Sequence, residues 1–513
     1  MPSEPDDFGD MPAIPMRPIY AVAALILGTA ILRMIVASTT GLGIDESYMT
    51  ALARQIQLGY FDHPPLAWWI TWGAEQLFRS EANWVVRLPF VVLFAATTWA
   101  MYGFAAALFG ARAGLWAAVL LNLVPVLGVT TATWVLPDGP LVLMLLCAGI
   151  CLVRALDGKS GNATLWWLLT GICAGLALLS KYSAVLIVAG VFFFLLTTPT
   201  KRFWLARPQP YMAGIVAVLI FAPVIIWNLD HGFASFAFQG GRATGAQWHP
   251  GRVFQVLGGE ALFLLPWIWL LLILQLIGAL TRGPSDERRW LCAWLGVIPV
   301  ILFALVAAWS PHRVLYHWAA PGYMMLLPLA GHWIARHIDQ LWLRRAIAMT
   351  ATFVVILLAI FATQLHFNYM PAVLGDPWTN KHPDSDAVDW TDLRASLAQQ
   401  NLLDDHHFVA STRWLQAGKY DYAVGGTIPV VVLDTDDREY GIEHPMSSVA
   451  GRDGIIVDPQ MTLAEIQQRY GKMFASIEPL PVVTLNHAGQ PMMTLNLFMG
   501  HGFQPPQAAA SAQ

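Results

Sequence analysis

The chain has 513 residues, of which 56% are hydrophobic and only 12% charged, about half the charged share of a soluble domain. A soluble chain of this length would fold as roughly three domains, each needing a charged coat that this composition cannot supply. The net charge of -4 carries no basic stripe, so nucleic-acid binding is excluded with the ordinary cytoplasmic enzymes and the disordered proteins. What remains is a polytopic α-helical membrane protein. The acidic first 16 residues (Glu4, Asp6, Asp7, Asp10) lack the basic start of a cleaved signal, so the apolar run 19–38 reads as an anchor. Further apolar runs follow at 84–108, 113–131, 137–156, 165–180, 183–199, 211–227, 256–280, 290–308, 314–334 and 346–366, for about eleven spans in all.

Charge bias then orients these spans. With the N-terminus in the cytoplasm, the inner connections hold Arg112, Arg154, Lys159, Lys201, Arg202, Arg207, Arg282, Arg288, Arg289, Arg336, Arg344 and Arg345. The short outer connections hold only Lys181, Arg242, Arg252 and Arg313. An odd span count places the C-terminal end outside, which is the periplasm of a bacterium. After His366 the composition becomes polar and mixed. Helical periodicity at 386–403 and 461–474, with short strands at 408–411, 428–433, 454–457, 481–485 and 493–497, predicts a small α/β domain. The expected organisation is a cytoplasmic tail (1–17), a membrane domain (18–366) with a first outer loop (41–83), a periplasmic α/β domain (367–504) and a disordered tail (505–513). Cys147, Cys151, Cys173 and Cys292 all lie in apolar runs and read as packing residues, without a disulfide framework.

The first outer loop carries the densest chemistry. Asp45 and Glu46 directly follow a membrane exit, and Tyr60-Phe61-Asp62-His63-Pro64-Pro65 leads into Trp68, Trp69 and Trp72. The proline pair stops one helix and can start the next; the aromatics suit a helix at headgroup level. A carboxylate at membrane depth is costly and so a functional candidate, with helix capping as the competing explanation for Asp45. Asp138, in Leu136-Pro137-Asp138-Gly139-Pro140, sits at the outer start of a span, where a helix N-terminus also favours a carboxylate. Lys181-Tyr182 occupies a tight outer turn, with snorkelling as its bland role. Arg87 lies at an outer helix start, where the helix dipole disfavours a cation, so an anionic partner is expected. His312, Arg313 and His317 fall in a further outer segment. Carboxylates and cations thus converge on one face, as a reaction that leaves a lipid phosphate behind requires.

These pieces, in order, resemble the GT-C membrane glycosyltransferases of family 39, the protein-mannosyltransferase and lipid A aminoarabinose-transferase group. The matching residues are Asp45-Glu46, Asp62-His63-Pro64-Pro65-Leu66 with Trp69, Arg87-Leu88-Pro89, Leu108-Phe109-Gly110 with Ala113-Gly114-Leu115, Pro137-Asp138-Gly139-Pro140-Leu141, and Gly175 through Tyr182. The resemblance covers about residues 18–335; the C-terminal domain carries no motif. Within the group the chain is most similar to bacterial enzymes that decorate lipid A or the lipopolysaccharide core, the galacturonic acid transferases among them. It departs from the aminoarabinose transferases where they show Glu-Lys-Pro-Pro and this chain has Asp62-His63-Pro64-Pro65.

The resemblance implies an inverting transfer of a sugar from polyprenyl phosphate to an envelope acceptor, lipid A or core favoured and protein an alternative, at the periplasmic face of the inner membrane. It implies catalytic roles for Asp45 (general base), Glu46 and Asp138, donor-phosphate binding by Lys181, Arg313, Arg87 and His63, and acceptor or sugar contacts from Asp62, Tyr60, Tyr182 and His317. Two carboxylates and a histidine could also hold a divalent cation, although no ligand spacing is diagnostic and none is required. Two other classes compete: a transporter or flippase of a lipid-linked sugar, against which stand the absence of internal repeats and the long acidic first outer loop, and a scaffolding protein, in which loss of Asp45 would be silent.

Overall fold

The computed structural model describes residues 16–157, 162–242, 247–375 and 383–506. The expected cytoplasmic tail and C-terminal tail fall almost wholly outside these residues, as does Lys159. Helices occupy every one of the apolar runs: α1 (Met16–Thr39), α4 (Asn83–Phe109), α5 (Ala111–Leu123), α6 (Asp138–Asp157), α7 (Ala163–Ser180), α8 (Ala184–Thr197), α9 (Pro208–Asp230), α12 (Pro266–Arg282), α13 (Glu287–Val306), α14 (Ala320–His337) and α15 (Leu341–Phe367). Between them lie α2 (Ile44–Ala53), α3 (Leu66–Phe78), α10 (Ala234–Gly241) and α11 (Gly251–Leu264). Eight of these helices are long and apolar enough to cross a membrane, namely α1, α4, α6, α7, α9, α12, α13 and α15; α5 and α8 are shorter apolar helices.

Three runs are broken where local chemistry overrides hydropathy. The run 256–280 divides between α11 and α12 because Pro266 has no N–H to donate and pushes the preceding residue out of the α region. Leu265 accordingly takes an extended ψ of 124°, though its positive φ of 67° is a feature of this break and not of a following proline. The run 113–131 leaves α5 at Leu123 and passes into a single π-helical turn, Val126–Thr130. The run starting at 314 becomes helical only at Ala320.

The chain forms two compact units, and each is considered by itself. The first comprises Met1–Ile35, Gln57–Ile70 and Arg87–Leu357. Its helices meet through small residues, as in membrane proteins generally. A Cβ on Gly175 of α7 would lie 2.8 Å from Ile220 Cβ and 3.0 Å from Ala217 Cα of α9. A Cβ on Gly331 of α14 would lie 2.7 Å from Ala117 N of α5.

The second unit comprises Val36–Ile56, Thr71–Val86 and Leu358–Gln513, so it takes in much of the first loop as well as the C-terminal region. Its six strands are β1 (His407–Ser411), β2 (Val430–Val432), β3 (Asp453–Asp458), β4 (Ser476–Pro479), β5 (Val483–His487) and β6 (Gln490–His501). They form a mixed sheet in the order β2-β1-β3-β6-β4, with β5 also on β6. β1 pairs parallel with β2 and β3, and β6 antiparallel with β3, β4 and β5. The parallel β1–β2 pair needs a crossover, supplied by α17 (Trp414–Val424), which follows α16 (Thr391–Gln399); α18 (Leu463–Tyr470) lies between β3 and β4. Phe408, Val431, Ile456, Phe474, Phe498 and Phe503 form the core. The α/β character matches the sequence expectation, with β4 and α17 added.

α2 packs directly on α17: a Cβ on Gly418 would lie 2.6 Å from both the Cα and the N of Tyr48. Polar ties reinforce this contact. Arg54 donates to Glu81 from Nε at 2.7 Å and Nη2 at 2.8 Å, and from Nη1 to Asp421 at 2.6 Å. Leu42 N donates to Asp389 Oδ1 at 3.1 Å, and Asn83 Nδ2 to Asp389 Oδ2 at 2.8 Å.

Candidate functional site

In the first unit, Asp138 opens α6 and Lys181 closes α7. Lys181 has extended backbone (φ -156°, ψ 134°), and its N–H still caps Ala177 O at 3.0 Å. Its ammonium donates to Asp138 Oδ2 at 2.8 Å and Oδ1 at 3.0 Å, with side-chain exposures of 12% and 9%. Each charge also complements its own helix dipole, the carboxylate at an N-terminus and the ammonium at a C-terminus. Lys181 is therefore not simply snorkelling, and Asp138 does more than cap a helix. An ammonium has three protons to donate, and Asp138 is the one hydrogen-bonding partner of the Lys181 ammonium among the described residues.

Both His317 and His63 lie within electrostatic reach of Asp138. Burial, aided by the positive charges of Lys181 and Arg242 and opposed by Asp138, pushes the His317 imidazole down to about 4. At neutral pH His317 is therefore an uncharged hydrogen-bonding group. Tyr182 places its hydroxyl 2.6 Å from Ser235 Oγ of α10. Tyr60 stacks on the buried Trp68, with ring centroids 4.2 Å apart, so Trp68 faces inward while Trp72 is exposed. Asp62 is buried, and its backbone carbonyl accepts from Gln239 Nε2. Arg87 is 2% exposed on α4, as a cation held inside the helical unit requires.

Arg242 was not singled out from sequence beyond its outer location. Its guanidinium lies 4.6 Å from the Phe238 ring and 5.3 Å from the Trp318 ring, and its charge acts on His317. Its carbonyl accepts from Ser310 Oγ at 2.7 Å, tying the segment that carries His317 to the end of α10. The aromatic at 238, four residues earlier on the same helix face, is the only local signal. Arg313, by contrast, is exposed. It donates to Tyr316 Oη at 2.8 Å and stacks over that ring at 5.0 Å, and among the described residues it shares no hydrogen-bonding partner with Lys181.

Asp45 and Glu46 belong to the second unit, on the first turn of α2. The cap is made by Glu46, whose Oε2 accepts from Gly43 N at 2.9 Å. Glu46 is buried, whereas Asp45 is exposed. The capping alternative weighed for Asp45 thus falls to its neighbour. Among the described residues no group of three or more His, Cys, Asp or Glu is placed to hold a metal ion.

Fold and site together define a multi-pass membrane protein of the GT-C type, with a charged pair at two helix ends and a small α/β unit. The family described as dolichyl-phosphate-mannose-protein mannosyltransferase matches residues 62–227, a stretch that includes His63, Arg87, Asp138, Lys181 and Tyr182. The lipid A galacturonosyltransferase RgtD of Rhizobium johnstonii is 23% identical over 312 residues, 58% of this chain and 62% of that protein; the chain thus spans about three fifths of this relative's length. The crystal structure of ArnT from Cupriavidus metallidurans bound to undecaprenyl phosphate matches with a TM-score of 0.62 at 14% identity, over 93% of this chain and 97% of that one. An Archaeoglobus fulgidus oligosaccharyltransferase tethered with an acceptor peptide matches at 0.50 and 11% identity, over 93% and 75%. The chain is thus similar in sequence to a membrane mannosyltransferase family over residues 62–227 and in fold to ArnT over nearly its whole length.

Proposed function

We propose that this protein is an inverting glycosyltransferase of a bacterial inner membrane. It moves a sugar from polyprenyl phosphate to lipid A or the lipopolysaccharide core, at the periplasmic face. The observation that carries this reading is the Lys181–Asp138 pair at 2.8 Å beside a neutral His317, a cation with a proton to spare for an anion, in a fold shared with ArnT. The names of RgtD and ArnT's bound undecaprenyl phosphate support the acceptor and donor classes.

In the proposed reaction an acceptor oxygen attacks the anomeric carbon. The bond from that carbon to the phosphate oxygen breaks, and its electron pair leaves on the polyprenyl phosphate, inverting the anomeric centre. The proton of a hydroxyl acceptor passes to a general base, for which Asp45 is the candidate; an anionic phosphate acceptor needs no base. Lys181 stabilises the growing phosphate charge as a preorganised donor. Arg87, Arg242 and His63 are further donors for the same anion, and Arg313 is a cation of its approach. Asp62, Tyr60, Tyr182 and His317 contact sugar or acceptor.

The direct test is mass spectrometry of lipid A and core from a deletion strain, together with transfer by the purified protein in nanodiscs. A deletion strain with unchanged lipid A, core and envelope glycans would overturn the reading. Orientation is tested separately by thiol labelling in a cysteine-less background. Asn401→Cys should label from the periplasm and Thr281→Cys only after permeabilisation; the reverse pattern would invert the topology.

A further inference from the structure

The charged residues of α1 are Arg17 near its start and Arg33. A cation inside such a helix is expensive, and its usual escape is to snorkel toward the membrane surface. Arg33 instead reaches sideways into the helical unit. Its Nε and Nη2 donate to Gly128 O at 3.3 and 3.1 Å, and Nη2 also donates to Asn122 Oδ1 at 3.0 Å. The guanidinium stacks 4.5 Å from the Phe94 ring. Asn122 is itself held, donating to Thr98 Oγ1 at 3.1 Å and Ala118 O at 2.9 Å.

Gly128 lies in the π-helical turn Val126–Thr130. Such turns interrupt the regular carbonyl ladder and often mark functional sites. A Cβ at position 128 would lie 2.6 Å from Asn122 O, so the turn closes this tightly only around glycine. From there the contacts run on toward the charged pair. Thr131 donates its hydroxyl to Leu127 O at 2.6 Å. The Thr131 carbonyl lies 3.4 Å from where a Cβ on Gly139 would sit, and a Phe90 ring carbon lies 2.9 Å from it. Gly139 adjoins Asp138. The non-helical segment between the π turn and α6 is thus pinned at both ends.

We propose that Arg33 is a positioning residue for the Asp138–Lys181 pair: it locks the π turn, and through it the entry into α6 that presents Asp138. A guanidinium suits this task because its planar fork bridges two acceptors at fixed angles, which an ammonium cannot reproduce. This inference rests on the proposed glycosyl transfer for its kinetic readout and on geometry alone for its structural one.

The test uses the full-length protein in nanodiscs with Arg33→Met and Arg33→Lys, plus Gly128→Ala as an independent lesion in the same turn. Hydrogen–deuterium exchange should rise at least about fivefold in peptides covering 124–137 in Arg33→Met and Gly128→Ala, partially in Arg33→Lys, and stay unchanged in α9. Turnover should fall about tenfold or more in Arg33→Met, with apparent donor affinity within twofold and partial rescue in Arg33→Lys. Added to Asp138→Asn, Arg33→Met should cause little further loss, because both act through one group. Unchanged exchange at 124–137, or losses that simply multiply, would overturn the proposal. Should Arg33→Met fail to fold, Arg33→Lys and Gly128→Ala carry the same comparisons. If the wild-type protein transfers no sugar, the function reading fails while the exchange arm still decides whether Arg33 holds the turn.

Discussion

Each unit contains a partly buried cation paired with carboxylate, and the two are built differently. Arg54 in the second unit has all three guanidinium nitrogens engaged, with Glu81 taking two and Asp421 the third. Tyr440 Oη donates to the other oxygen of Asp421 at 3.1 Å, completing the network. Lys181 in the first unit has one carboxylate and hydrogen-bonding capacity left over. A saturated network holds chain segments together and has nothing to offer a ligand. An undersaturated pair can reorganise around an incoming anion. The comparison predicts that damage to Arg54 appears as lost stability and damage to Lys181 as lost turnover.

The largest effect should come from Arg54→Met. It leaves the buried Asp421 and the partly exposed Glu81 without their shared cation, a loss that solvent screening of the Glu81 side holds below the cost of breaking a fully buried pair. Differential scanning fluorimetry and limited proteolysis of the purified full chain should show a marked loss of thermal stability. Unchanged stability would mean the network is ornamental.

Asp45→Asn should come next, with turnover lower by about a hundredfold for a hydroxyl acceptor and melting unchanged. Glu46→Gln keeps an acceptor for the Gly43 N–H and should stay within a few-fold of wild type. Normal turnover by Asp45→Asn with a hydroxyl acceptor would remove it as the base.

Lys181→Ala should lower turnover about tenfold to a hundredfold, and it also strands a buried carboxylate. The double variant Lys181→Met with Asp138→Asn separates these causes, because neutralising both partners removes the stranded charge. It should regain thermal stability and remain slow. Recovery of both would make the pair structural, like Arg54, and erase the contrast. Arg313→Ala should cost only a few-fold, since that side chain is exposed and engaged with Tyr316.

The contrast also tracks what could be read from the chain. The spans were legible because a membrane imposes a long apolar run, and Asp138 and Lys181 stood out as charges at the ends of such runs. Hydropathy could not see the break at Leu265-Pro266 or the π turn after α5, both set by backbone chemistry inside apolar sequence. Arg33 was passed over because one charge does not interrupt a 24-residue apolar helix. The membership of residues 36–56 and 71–86 in the second unit was equally hidden. It rests on Arg54, Asp389 and the Gly418–Tyr48 contact, which join positions more than three hundred residues apart and leave no periodic trace. The α/β unit was legible in outline because its strands are short apolar runs bounded by Gly, Pro and Asp. Strand β4 buries a single residue, Ile477, and α17 is only weakly amphipathic, so neither showed a run or a period.

The smallest effect sharpens the idea of saturation. Glu75 on α3 is buried at 6% exposure, and its Oε1 has no hydrogen-bonding partner among the described residues. Burial, with a contribution from Glu81 and against the pull of Arg54, pushes its carboxyl up to about 8. The nearby guanidinium does not rescue Glu75 because its hydrogen bonds are spent on Glu81 and Asp421. The sign follows from proton linkage. Between the ordinary value of 4.5 and about 8 the folded protein holds a proton that the unfolded chain releases, so stability falls as pH rises through this window. Glu75→Gln keeps the shape and removes the titration. It should match wild type near pH 4.5 and melt higher near pH 8.5, by about 2–4 °C for each kcal/mol of linkage in a unit of this size. A melting difference independent of pH would mean that Glu75 is already ionised in the folded protein. Arg54 would then have capacity to spare, and the distinction from Lys181 would be one of degree only.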